Sequence, residues 1–221
     1  MGNRKGISLI ELLVVLIISG IVVGGIYRFF IAQTQAYSVQ DQVVEVQQNI
    51  RSAMEVLLRD LRMAGYYDYR TPIRVPIPIV GGDSSVTISY QYSGTSRHSV
   101  AYWRDGNTSS LIRQVTTTTD TGATTAGPAE VILENVDGLL FTYGVDQDGN
   151  GMMDDRNGIN VIGGDDYVSA ATVTGGSLKV VAVRVALTTR AEPVNPDIQK
   201  MVSPRTLISA VTLRNQCLVR K

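Results

Sequence analysis

A single acid inside an apolar run of membrane length constrains this chain more than anything else in it. The run ISLIELLVVLIISGIVVGGIY extends from Ile7 to Tyr27 and is broken only by Glu11. As a helix it is about 31 Å long, the hydrocarbon thickness of a bilayer. A carboxylate so close to the start of a span is costly and calls for a partner. A short basic leader, MGNRKG, precedes the run. An ordinary secretory signal carries its cleavage site after the apolar region, beside small residues. Here the obvious scissile glycine, Gly6, comes before it, directly behind Arg4 and Lys5.

Gly6, Ile7 and Glu11 together resemble the class III signal of type IV pilins and type II secretion pseudopilins. The resemblance implies that a prepilin peptidase cuts after Gly6 and methylates the new amino terminus at Ile7. Phe or Met is the more usual first mature residue. It also places Glu11 at the fifth mature position, where its carboxylate would meet the amino terminus of a neighbouring subunit. In a low dielectric each of those charges would be costly without the other. Within the span, Gly20 and Gly24 form a G-x-x-x-G pattern that lets helices approach closely; the same glycines, with Gly25, also loosen a helix.

The chain has 221 residues, 44% of them hydrophobic, so one globular domain of ordinary size is expected beyond the span. Lys and Arg number 20, as do Asp and Glu, which gives no global attraction for nucleic acid or acidic lipid. Cys217 is the only cysteine and cannot form an intramolecular disulfide; a buried place near a strand end is expected for it.

The helix is expected to continue past the membrane. Val39, Val43, Val46, Ile50, Met54, Leu57 and Leu61 recur at spacings of three and four, and Gly65 follows Arg62 where a helix would end. Beyond Gly65 the period becomes alternating. Pro72, Pro76 and Pro78 exclude helix and imply an extended connector or an edge strand. Val86, Ile88, Tyr90 and Tyr92 alternate as one face of a strand. Ser99–Arg104 and Ser110–Val115 flank Asp105-Gly106-Asn107 as a hairpin. Further strands are expected at Val131–Asn135, Leu139–Tyr143, Lys179–Thr189 and Thr206–Leu213, and Thr116–Gly127 reads as a surface loop. Tyr66, Tyr67 and Tyr69 are expected to pack where helix meets sheet, with a partner-facing aromatic patch as the alternative. The fold class is α+β: a long N-terminal helix packed on a mainly antiparallel head. The divisions are 1–6, a leader; 7–65, the helix; and 66–221, the head.

One stretch has metal-ligand spacing. In an EF-hand-like loop, oxygens come from positions 1, 3, 5, the backbone at 7, and 9, with glycine at 6. Asp146, Asp148, Asn150, the Met152 carbonyl and Asp154 fill those slots, and Gly151 supplies the turn. Asn157 stands where the bidentate Glu of position 12 belongs, so the pattern suggests a β-domain calcium loop of modest affinity, with Asp155, Asp165 or Asp166 completing the shell. Asp, Asn and Gly are equally the residues of an acidic turn. No nucleophile motif, P-loop or dinucleotide fingerprint is present, and the single histidine, His98, reads as structural.

Three stretches carry a narrower resemblance. LLRDLRMAGY (Leu57–Tyr66), NVDGLLFTY (Asn135–Tyr143) with the acidic loop after it, and LISAVTLRN (Leu207–Asn215) resemble the PilW-type minor pilins, which are related to the type II secretion minor pseudopilin J. This resemblance implies a non-enzymatic minor pilin of the inner membrane with a periplasmic head, which helps initiate or cap a type IV pilus. Its implied partners are prepilin peptidase, other minor pilins, the major pilin, the inner-membrane assembly platform and a tip adhesin, with no direct nucleic-acid contact. The alternatives are a type II secretion pseudopilin and a membrane-anchored, calcium-dependent periplasmic domain that uses the helix only as a tether.

Overall fold

The computed structural model describes residues 8–158, 161–174, 179–192 and 200–217. Its first element, α1 (Leu9–Met63), is a single helix of 55 residues, about 82 Å long at 1.5 Å per residue. The two halves bury differently because their residues do. The apolar half has a window of mean hydropathy 2.7 of which nothing is buried. In the other half Val46, Ile50, Met54, Leu57 and Leu61 turn inward as their spacing requires, joined by Ala53 and Asp60. Val39 and Val43 pack with Val46 against Ala191 and Val202 in a small separate cluster. Between the halves Thr34 and Ser38 satisfy their hydroxyls on the carbonyls of Phe30 and Thr34, four residues back.

The helix ends in a type II turn. Tyr66 N–H donates to Met63 O at 3.0 Å, and Ala64 (φ −49°, ψ 128°) is followed by Gly65 at φ 72°. A left-handed residue is needed there, and glycine takes that conformation without a Cβ penalty. Gly65 N–H then donates to Ser89 O, which ties the end of the helix to the first sheet.

That sheet is antiparallel throughout, with strands in sequence order: β1 (Ile79–Gly81), β2 (Ser85–Ser93), β3 (Ser96–Asp105), β4 (Ser110–Thr119) and β5 (Thr124–Leu133). A second antiparallel sheet holds β6 (Val136–Asp146), β7 (Lys179–Thr189) and β8 (Arg205–Thr212), in that order. The Asp105 hairpin forms as expected: the Asp105 carboxylate accepts from Asn107 N–H and Thr108 Oγ1 and so fixes the turn. Short helices follow at α2 (Ala170–Thr174) and α3 (Arg214–Cys217).

Three sequence expectations are corrected. Thr116–Gly127 is not a loop: Thr117 pairs with Thr125 and Thr118 with Thr124, leaving only a tight turn between β4 and β5. Its threonines are β-branched and hold a strand without an apolar face, because this hairpin end projects beyond the core. Tyr92 is 66% exposed rather than inward. Tyr92 keeps the face of Tyr90, both rings packing on His98, but that face is open at this end of the strand; Gln91, on the opposite face, is buried under the Tyr66–Asp68 segment instead. The Gln91 amide is satisfied there, accepting from Asp68 N–H and donating to Ser93 O. Finally, Tyr66 and Tyr69 do not pack into the helix–sheet junction; they are 47% and 72% exposed.

The core lies where α1 meets both sheets. Leu57 and Leu61 of α1, Ile88 and Tyr102 of the first sheet, and Phe141, Tyr143 and Leu187 of the second are fully buried in one cluster. The sheets are joined at the β1–β2 turn. Phe141 N–H donates to Asp83 O, Tyr143 OH to Gly82 O, and Ala170 N–H to the Asp83 carboxylate. Glycine is required at position 81, since a Cβ there would lie 2.5 Å from Cζ of Tyr143.

Candidate functional site

The residues that point to function fall at opposite ends of the molecule. Gly6 and Ile7 lie outside the described residues. Glu11 stands in the first turn of α1, exposed like the residues around it. A Cβ at Gly20 or Gly24 would meet nothing within 4 Å, so the backbone is bare at both. At about 100° per residue, Glu11 lies nearly opposite the Gly20–Gly24 stripe. A helix seated on the glycines would therefore not be the one that reaches Glu11.

The acidic loop follows β6. Carboxylate oxygens of Asp146, Asp148 and Asp154 lie within 4.8 Å of one another, so these three acids could hold a metal ion. They are not equivalent: Asp146 is buried, Asp154 half-buried and Asp148 exposed. The backbone is wound around Asp146. Its Oδ1 accepts from Gly149 N–H (2.8 Å) and Asn150 N–H (3.1 Å), and its Oδ2 accepts from Gly151 N–H at 3.0 Å. Gly149 and Gly151 reach this geometry at φ 78° and 85°. Lys179 Nζ of β7 stands 3.7 Å from Asp146 Oδ2. Burial pushes the Asp146 carboxyl up, but the Gly151 and Gly149 N–H bonds and the Lys179 charge outweigh it and hold the group below the usual carboxylate range.

The other oxygens of the pattern have partners within the loop. Asp148 accepts from Asn150 N–H and Asn150 Nδ2, Asn150 Oδ1 accepts from Met152 N–H, and Asp154 Oδ2 accepts from Gln147 N–H. Asp154 N–H pairs with Val145 O and closes the loop on its strand. The donor set is all oxygen, which suits a hard cation. Asp146 meanwhile spends both oxygens on backbone N–H groups, so it organises the turn whether or not it binds an ion.

Asp166 does not join this group. It is fully buried, and its carboxylate accepts from the N–H groups of Gly163, Arg156 and Asn157. The Gly163 bond, with those of Arg156 and Asn157, holds Asp166 below the usual carboxylate range against the effect of burial. Asp166 thus closes a second loop next to the first. His98 sits in an aromatic clasp, its ring stacked on Tyr92 at 3.9 Å and edge-on to Tyr90 at 5.8 Å, and burial lowers its pKa. Cys217 is half-buried rather than buried and ends the short helix α3 rather than a strand; burial pushes its thiol up.

One constellation has no counterpart in the sequence reading. Asp60 on α1, 42 and 53 residues from its partners, accepts from Tyr102 OH at 2.7 Å and Arg113 Nε at 2.9 Å. Arg113 Nε also lies 3.1 Å from Tyr102 OH, and its guanidinium reaches Glu130 at 3.6 Å. Burial, and then the Asp60 carboxylate, push the Tyr102 phenol far above its ordinary value. Burial works against the Arg113 charge, but the Asp60 hydrogen bond more than restores it. The signal was present, since Asp60 falls three residues after Leu57 and one before Leu61, on the buried face.

Comparison with known proteins bears on both ends. Residues 1–27 match the prokaryotic N-terminal methylation motif, and residues 98–214 match type IV pilus-assembly protein W. No curated protein matches the chain. The first match and the single apolar helix fit a single-pass inner-membrane protein with a periplasmic head. The second match takes in β4 to β8, the acidic loop and both partners of Asp60, more than half of the chain. A pilin signal, the continuous helix and this head together assign the chain to the PilW family of type IV pilus-assembly proteins.

Proposed function

We propose that this chain is a minor pilin that takes part in initiating the type IV pilus and stands at or near the filament tip, as a structural rather than a catalytic subunit. The observation that carries the reading is one helix, continuous from an unburied apolar half that begins within the methylation motif into the core of the head. Prepilin peptidase removes residues 1–6 at Gly6 and methylates Ile7, leaving the helix of 7–65 and the head of 66–221. Glu11 then pairs with the amino terminus of a neighbouring subunit, and the Gly20–Gly24 stripe seats a second helix. Other minor pilins, the major pilin, the assembly platform and a tip adhesin are its partners. Cells lacking this protein, complemented with Gly6→Ala or Glu11→Val, test this. Gly6→Ala should retain the leader by mass spectrometry. Glu11→Val should insert and be processed yet fail to restore piliation, and full restoration would refute the charge pairing.

Calcium belongs to the same reading. Asp146, Asp148, Asn150, the Met152 carbonyl and Asp154 are its proposed ligands, favoured by the convergence of three carboxylates within 4.8 Å. An ion bound only by the folded head raises its melting temperature with concentration. The full chain in detergent should therefore melt higher in millimolar calcium than in chelator, and Asp148→Ala with Asp154→Ala should abolish the difference. Equal curves for the unaltered chain would leave the loop as an acidic turn.

A further inference from the structure

Of the four sheet edges, three are guarded. β1 has three residues and follows Pro76 and Pro78. β5 carries Gly127, Pro128 and Glu130, with two pairing irregularities against β4. β6 is capped through Phe141 N–H to Asp83 O and by the bridge between Tyr143 and Val168. Short edges, prolines, charges, bulges and covering segments are the devices by which natural sheets prevent unwanted pairing.

The fourth edge, β8, is the least guarded: α1 packs on one side of the strand, but no described residue pairs with its outer edge. It runs eight residues in regular register with β7, without Pro, Gly or bulge, and its one charge is Arg205 at the start. Among the described residues, no backbone hydrogen bond reaches Arg205–Thr212 from outside the β7 pairing. Ile208 is 51% exposed. Two open clefts, about 560 Å³ and 210 Å³, separate β8 and the chain just after it from α1. The helix side offers Met54, Leu58 and Met63 as an apolar floor, and Arg51 and Arg62 as charges. Arg51, Arg62, Arg205 and Arg214 have no ion pair or side-chain hydrogen bond among the described residues, and Glu55 is the only acid lining the clefts. In a chain of zero net charge this is a local basic channel beside an open strand.

We propose that the β8 edge and its cleft receive an extended acidic segment of a neighbouring pilin-type subunit, which joins the second sheet as a fourth strand. Main-chain hydrogen bonds along an open edge give affinity to any extended segment, and flanking side chains select among them. The four guanidiniums select for acid. A duplex nucleic acid would use the charges but leave the row of backbone donors and acceptors unpaired. The inference rests on the assembly role proposed above, which supplies a neighbour anchored by its own membrane helix.

The test is photo-crosslinking in cells of the full chain with benzoylphenylalanine at Ile208, and at Val131 on the guarded β5 edge as control. The expected result is an Ile208 adduct to a pilin-type subunit, mapped by mass spectrometry to an acidic extended stretch, with none from Val131. Arg51→Glu with Arg62→Glu should lower its yield about tenfold without lowering the melting temperature, and reversing the acids of the captured stretch should restore it. Absence of the adduct in cells whose piliation depends on this chain would overturn strand addition and leave the assembly role standing. An adduct only to nucleic acid, or a yield indifferent to charge reversal, would also overturn it. Piliation that does not need the chain would instead refute the assembly role.

Discussion

Asp60→Ala should be among the most damaging single changes to the head, although the residue carries a charge on a helix. The Asp60 side chain is only 7% exposed and Arg113 only 17%, so water does not replace the lost partner. Removing one member of such a pair costs about 3–5 kcal/mol, because the other charge stays buried and unpaired. Glu130 offers Arg113 a fallback at 3.6 Å but is 57% exposed, which places the cost near the lower end, about 3 kcal/mol. A domain of this size loses about 2–4 °C of melting temperature per kcal/mol, so the full chain in detergent should melt about 6–12 °C lower. Tyr102→Phe keeps the ion pair and removes one hydrogen bond, costing about 1–2 kcal/mol. Asp60→Leu with Arg113→Met removes both charges and should recover most of the loss, since a buried pair replaced by apolar side chains is often neutral. Thermal denaturation followed by circular dichroism of Asp60→Leu, Arg113→Met and their combination measures the coupling. A fall of less than about 1 kcal/mol for Asp60→Ala, or a double variant worse than either single one, would refute a stabilising role for the Asp60–Arg113 pair.

Gly81→Ala should cost about 1–3 kcal/mol by overpacking against the buried Tyr143 ring, whereas Gly20→Ala, with open space around it, should leave the head's melting temperature unchanged. Leu57→Ala, at a fully buried core position, should cost about 2–5 kcal/mol by the same assay. Asp146 and Asp166 are held below the ordinary carboxylate value of about 3.9, so their stabilisation is present above that pH and is lost as the pH falls through their depressed values. Loop 146–166 should therefore become protease-sensitive in acid before the rest of the head, and Asp146→Asn should flatten that dependence.

The fold was legible wherever burial follows a period. The stripe from Val39 to Leu61, the Asp105 hairpin and β7 over Lys179–Thr189 all appeared as their spacing implied, because each has one face in the core. Legibility failed where pairing rather than burial makes the strand. The threonines of the β4–β5 hairpin have no apolar face to announce them, and Tyr92 keeps the face of Tyr90 at a strand end where that face is open, which alternation alone does not register. The acidic loop was legible as a cluster, since the spacing of Asp146, Asp148 and Asp154 brings their carboxylates together. What the spacing could not convey is that Asp146 is occupied by three backbone N–H groups, or that Asp166 closes a loop of its own.

Asp60 also bears on why the helix is built in one piece. A tether needs only an apolar span and a linker, and its head would be indifferent to the helix's rotation. Here the helix contributes Leu57 and Leu61 to the centre of the core, and a buried carboxylate to two strands of the first sheet. A hydrophobic stripe alone tolerates small rotations and slips; a hydrogen-bonded charge does not, because a shift of one residue would strand Asp60 away from Arg113 and Tyr102. The apolar half continues the same helix, so fixing Asp60 fixes the direction in which Glu11 and the Gly20–Gly24 stripe face relative to the head. A filament subunit requires that coupling, since its helix and its head must both meet their neighbours in one orientation.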